Sequence, residues 1–104
     1  MAFLGFGKKK APEKFNLKDY LSDEETSLMV KELETLAQRV PSPTSEVVSD
    51  LAVSIKNKQD LYLRESLDLC ISCIGMNQGF KEAQEGSGAL ADKLKGIRKE
   101  LTGK

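Results

Sequence analysis

The stretch Leu67–Met76, Leu-Asp-Leu-Cys-Ile-Ser-Cys-Ile-Gly-Met, is apolar around most of a helix. At 100° per residue it is apolar over roughly 220° of its circumference, about twice the stripe of an ordinary surface helix. A segment of this kind has to be covered from two sides. In a chain of 104 residues the material for that cover is scarce. Arg64, Glu65, Asp68 and Ser72 give its neighbourhood one polar edge, with Gly75 on it. Leu63, Leu67, Cys70, Ile71 and Ile74 form one apolar face. A second face beside it carries Ile55, Tyr62, Ser66, Leu69, Cys73, Met76 and Phe80.

The rest of the chain reads as helix. Ser22 and Glu25 have capping-box spacing, and Asp23, Glu24 and Glu25 suit the positive end of a helix dipole. Met29, Leu33, Leu36 and Val40 then recur at helical spacing, with Lys31, Glu34 and Gln38 off the seam. Pro41 disfavours helical geometry in the residue before it, so this helix is expected to stop near Arg39 or Val40. Pro41-Ser42-Pro43 is a short link that favours an antiparallel hairpin, with Ser42 as expected cap and Pro43 as first helical residue. Val47, Val48, Leu51, Ala52 and Ile55 open the second helix. Asn57-Lys58-Gln59-Asp60 interrupts its pattern, yet the apolar ladder resumes in phase beyond it. The expectation is one long, bent helix over 43–85, about 65 Å if straight. Gly86-Ser87-Gly88 reads as a hinge, and Leu90, Leu94, Ile97 and Leu101 as the seam of a terminal helix over 89–101, with Gly96 on its polar face. No segment carries a strand signal.

The fold class that follows is all-α: a helical hairpin with a long central helix and a C-terminal amphipathic helix, assembled as an oligomeric bundle. Residues 1–15 read as a flexible tail and 16–104 as a single helical domain. The side chains expected to carry self-association are Leu63, Leu67, Leu69, Ile71, Ile74 and Met76.

Charge is balanced in total and uneven along the chain. Residues 1–15 carry +3, from Lys8, Lys9, Lys10 and Lys14 against Glu13, and residues 89–104 also carry +3. Between them, residues 16–40 carry −3. Basic ends around an acidic middle suit contact with an anionic surface or with a second copy. The segment Ala2-Phe3-Leu4-Gly5-Phe6-Gly7 before Lys8-Lys9-Lys10 sharpens this. Phe3, Leu4 and Phe6 beside three lysines are expected to contact an anionic membrane surface or a protein partner; in a second reading Phe3 and Phe6 fill a hydrophobic groove on a partner or on the protein itself. No stretch has the roughly 18 apolar residues of a membrane span. The order of apolar residues before lysines is the reverse of a secretory signal. A cytoplasmic protein, membrane-peripheral at most, is the expectation.

Catalytic chemistry has few candidates. The chain has no His and no Trp. Cys70 and Cys73 form a CxxC, but mid-helix in the most apolar segment rather than at a helix N-terminus, where the dipole would lower a thiol pKa. Two cysteines also fall short of a four-ligand zinc site. No metal, cofactor or catalytic residue is assigned, and an enzyme is not expected. The leading expectation is a non-catalytic helical interaction or scaffold protein. The alternatives are a thiol redox or metal protein centred on Cys70 and Cys73, and a nucleic-acid accessory using Lys93, Lys95, Arg98 and Lys99. The acidic middle and the lack of an aromatic platform disfavour nucleic acid.

Overall fold

Helix α1 (Asp23–Ala37) contacts each of the other three helices, and the molecule is arranged around it. The computed structural model describes residues 13–103. The all-α expectation holds: α1 is followed by α2 (Thr44–Lys56), α3 (Leu63–Gly79) and α4 (Ser87–Thr102). A small antiparallel ladder, β1 (Lys14–Phe15) with β2 (Leu61–Tyr62), pairs Lys14 with Tyr62 and Phe15 with Leu61. Glu13–Phe15, read with the tail in sequence, thus belong to the fold: Phe15 is buried, and the Leu63 N–H donates to the Glu13 carbonyl at 2.9 Å. Phe3, Leu4, Phe6 and Lys8–Lys10 lie outside the described residues.

The start of α1 follows its sequence signals. The Glu25 N–H donates to the Ser22 hydroxyl at 3.1 Å, and the Ser22 N–H donates to Glu25 Oε1 at 2.8 Å. This reciprocal box satisfies two of the otherwise orphaned donors at the helix end. Lys93 Nζ of α4 adds bonds of 2.7 and 3.0 Å to the two oxygens of the same carboxylate. Lys93 and the cap together hold Glu25 below the usual carboxylate range. Met29, Leu33 and Leu36 are fully buried, as their spacing requires. The α1–α2 hairpin forms, with Lys56 Nζ reaching Glu34 Oε2 at 3.0 Å. Its cap differs from expectation. Pro43 occupies the N-cap position, its carbonyl accepting from Glu46 and Val47, while the Ser42 hydroxyl faces that of Ser45 at 3.4 Å.

The long helix expected over 43–85 is two helices. Both α2 and α3 end in the same double hydrogen bond. After α2, Lys58 N–H donates to the Ile55 carbonyl and Gln59 N–H to Ser54, each at 3.0 Å. After α3, Lys81 N–H donates to Gln78 at 3.0 Å and Glu82 N–H to Asn77 at 2.8 Å. This is the Schellman closure, which needs a left-handed residue. Lys58 (φ 56°) and Lys81 (φ 60°) supply it, where glycine is usual. Asn16 fixes the first stop: its Nδ2 donates to the Lys58 carbonyl at 2.7 Å and to Asp60 Oδ1 at 3.1 Å. The break folds α3 back over α1, and the molecule measures 48 × 26 × 23 Å.

The terminal helix is longer than expected, and the supposed hinge is its start. Gly86 takes the N-cap position at φ +87°, and Ser87 and Gly88 are helical. Leu90, Leu94 and Ile97 are buried and Leu101 is half-buried.

A left-handed non-glycine residue costs about 1–2 kcal/mol, against about 0.5–1 kcal/mol for the added unfolded-state entropy of glycine. Lys58→Gly and Lys81→Gly are therefore each expected to stabilise the protein by about 0.5–1 kcal/mol. Urea denaturation with an unchanged slope checks this.

Candidate functional site

Two features stand apart from an ordinary helical core. The first is a buried carboxylate. Glu32 of α1 is 0% exposed. It lies three residues after Met29 and four before Leu36, on the rim of the α1 seam. Its Oε1 accepts from Asn77 Nδ2 at 2.8 Å, and its Oε2 accepts from the Gln84 N–H at 2.6 Å. Asn77 Nδ2 also donates to the Glu32 backbone carbonyl at 2.8 Å. Both amide hydrogens are thereby used, and the reverse orientation would set an oxygen against two acceptors. Asn77 Oδ1 is buried and has no hydrogen-bond partner among the described residues.

The cluster lies at the C-terminal end of α3. Asn77 sits on the inner seam of α3, where Leu63, Leu67, Cys70, Ile74 and Asn77 recur at spacings of 4, 3, 4 and 3. Gln84 belongs to the connection between α3 and α4. One carboxylate of α1 thus holds both the C-terminal part of α3 and the approach to α4. It is enclosed and already bonded at both oxygens, so its evident role is structural. Sequence reasoning missed both Glu32 and Asn77, although the seam spacing places each at a buried position.

Cys73 lies one turn before Asn77. Burial first, and the Glu32 carboxylate second, push its thiol up to about 11. Burial, with Cys73 adding to it, pushes Cys70 higher still. Both thiols stay protonated and shielded at neutral pH. Among the described residues no three His, Cys, Asp or Glu side chains gather as metal ligands. Of the basic residues of α4, Lys93 pairs with Glu25, and Arg98 pairs with Asp68 at 2.9 Å, leaving Lys95 and Lys99 exposed.

The second feature is the outer face of α3. The inner face is covered by the chain's own helices, so Leu63, Leu67 and Ile74 lie in the core and are closed to a second copy. That corrects three of the six side chains expected to self-associate. Leu69 and Ile71 are half-buried against the core. Met76 is open at 43%, as are Phe80 at 46% and Tyr62 at 51%. Leu69, Met76 and Phe80 fall within about 40° of one line along the helix, and Tyr62 of β2 directly precedes it. Lys14 Nζ lies 4.9 Å from the Tyr62 ring centre, at one end of this stripe. At the other end Arg39 stacks on Phe80 at 5.5 Å and pairs with Glu82. No helix among the described residues is long and apolar enough to cross a membrane. No protein family, curated protein or solved structure matches the chain.

Removing one partner from a buried charge costs about 3–5 kcal/mol. Asn77→Ala is expected to destabilise by about that amount, and the double variant Glu32→Met/Asn77→Leu by clearly less. Chemical denaturation of the two variants tests this. Cys70 and Cys73 are expected to resist a thiol reagent at neutral pH in native protein and to react at once in urea. Fast labelling of the folded protein would contradict their burial.

Proposed function

We propose that this is a non-catalytic helical interaction protein that self-associates through the outer face of α3. The observation that carries the reading is the stripe of half-buried Leu69 with exposed Met76 and Phe80, apolar and only partly covered by the described helices. The chemistry-bearing groups point the same way. The buried carboxylate and both thiols are committed to the core.

A second copy suits this face because the stripe is self-complementary. In an antiparallel α3–α3 contact about a two-fold axis near Ser72 and Cys73, Leu69 of one copy meets Met76 of the other. Exposed Glu65 of one copy then lies beside exposed Lys81 of the other, at both ends of the contact. Phe3, Leu4 and Phe6, with Lys8–Lys10, supply the second contact of this reading, toward an anionic membrane surface.

Light scattering over a range of concentrations tests the self-association. The unsubstituted protein is expected to reach twice its chain mass or more. Met76→Glu sets a desolvated charge in the contact and is expected to weaken association about a hundredfold, a loss of about 2.7 kcal/mol. A protein that stays monomeric at the highest attainable concentration would overturn the proposal.

A further inference from the structure

A cleft between α3 and α4 is lined by Arg64 and Asp68 from the first helix and by Arg98 and Thr102 from the second, and its volume is about 340 Å³. We propose that this cleft binds the phosphate group of a small ligand, held by Arg64 and Arg98 together.

Free donors are the first support. A guanidinium carries five N–H donors and no acceptor. Arg98 spends one nitrogen on Asp68, with Nη1 2.9 Å from Oδ1. Arg64 forms no ion pair with another described residue. Two cations from two helices therefore share one cleft with a single carboxylate. Thr102 adds no donor, because its hydroxyl already donates to the Arg98 carbonyl at 2.6 Å.

The surrounding charge is the second support. Lys95 and Lys99 are exposed and lie about 60° and 100° round α4 from Arg98. Neither forms an ion pair with another described residue. The other acidic side chains of these helices point elsewhere. Glu65 lies about 100° round α3 from Arg64, on the side of the outer stripe. Glu100 lies about 160° round α4 from Arg98, and Asp92 about 120° round and nearly two turns away.

The ligand group follows from what the cleft already holds. A monocarboxylate would offer Arg98 only what Asp68 gives it. A phosphate monoester carries a charge of about −1.5 to −2 at neutral pH and three strong acceptor oxygens, so it can take bonds from both guanidiniums at once. Ligand pockets run from about 300 to 1,000 Å³, and a cleft at the lower end suits a small molecule. The site shares no face with the outer stripe, since Arg64 and Asp68 lie about 140° and 100° round α3 from Leu69.

Titration of the full chain with glycerol phosphate at constant ionic strength tests this, read from the arginine side-chain Nε–H resonances. Those of Arg64 and Arg98 are expected to shift to saturation. The chain has one other arginine, Arg39, which is engaged with Glu82 and Phe80 and is expected to stay in place. Arg64→Gln and Arg98→Gln are each expected to weaken binding about tenfold. Asp68→Asn removes a like charge from the cleft and is expected to tighten it. Lys31→Gln on α1 and Met76→Glu on the outer stripe are expected to leave it unchanged. Each substituted side chain of the cleft reaches solvent, and exposed ion pairs contribute little, so these variants are expected to stay folded. Shifts that never saturate would overturn the proposal, as would binding that survives Arg64→Gln intact or falls equally in Lys31→Gln. Binding seen only with an oligonucleotide or with anionic vesicles, and not with glycerol phosphate, would overturn it as well.

Discussion

The arrangement of the helices depends on one buried charge. Glu32 sits inside α1 with no exposure to water, and a lone carboxylate there would be strongly unfavourable. Its two oxygens must find donors, and the chain brings both from far along the sequence: the Asn77 side chain and the Gln84 backbone. Neither donor can move far without leaving the carboxylate short of a partner. The requirement fixes how far α3 slides along α1 and where the connection to α4 begins. Apolar packing alone sets no such register, because leucines on neighbouring helices tolerate sliding better than a charge tolerates losing its donors.

The same economy of cover explains the surface. α1 packs with α2, with α3 and with α4. Its position lets one short helix serve three neighbours. The inner seam of α3 consumes what α1 and α4 can offer, and no further helix is present among the described residues to cover the outer seam. A chain this small with a helix apolar over so wide an arc therefore shows an open stripe. The proposed function is a consequence of that shortage.

Much of the fold was legible residue by residue. Ser22 and Glu25 announced the start of α1, Pro41 its end, and the spacing of Leu90, Leu94 and Ile97 the terminal helix. The signals that failed were of two kinds. The break after α2 was hidden because Tyr62, Leu69 and Met76 resume the apolar ladder in phase, and because Lys58 and Lys81 take left-handed positions where glycine would have marked the stop. The polar pair Glu32 and Asn77 was hidden because each is usually a surface residue. Their places on the seam were visible, but not the donors that make burial tolerable.

By itself, the sequence determined that the protein is helical, where α1 begins, and that the Leu67–Met76 segment carries more apolar surface than one neighbour can cover. Those properties follow from local spacing, capping and side-chain chemistry. Which apolar face is buried and which stays open was decided only by the tertiary structure. The choice rests on long-range contacts: the Asn16 bond to Lys58, the fold-back of α3 after it, and the Glu32 carboxylate that holds Asn77. The two hydrogen bonds join residues 42 and 45 positions apart, and helical periodicity carries no record of such pairings.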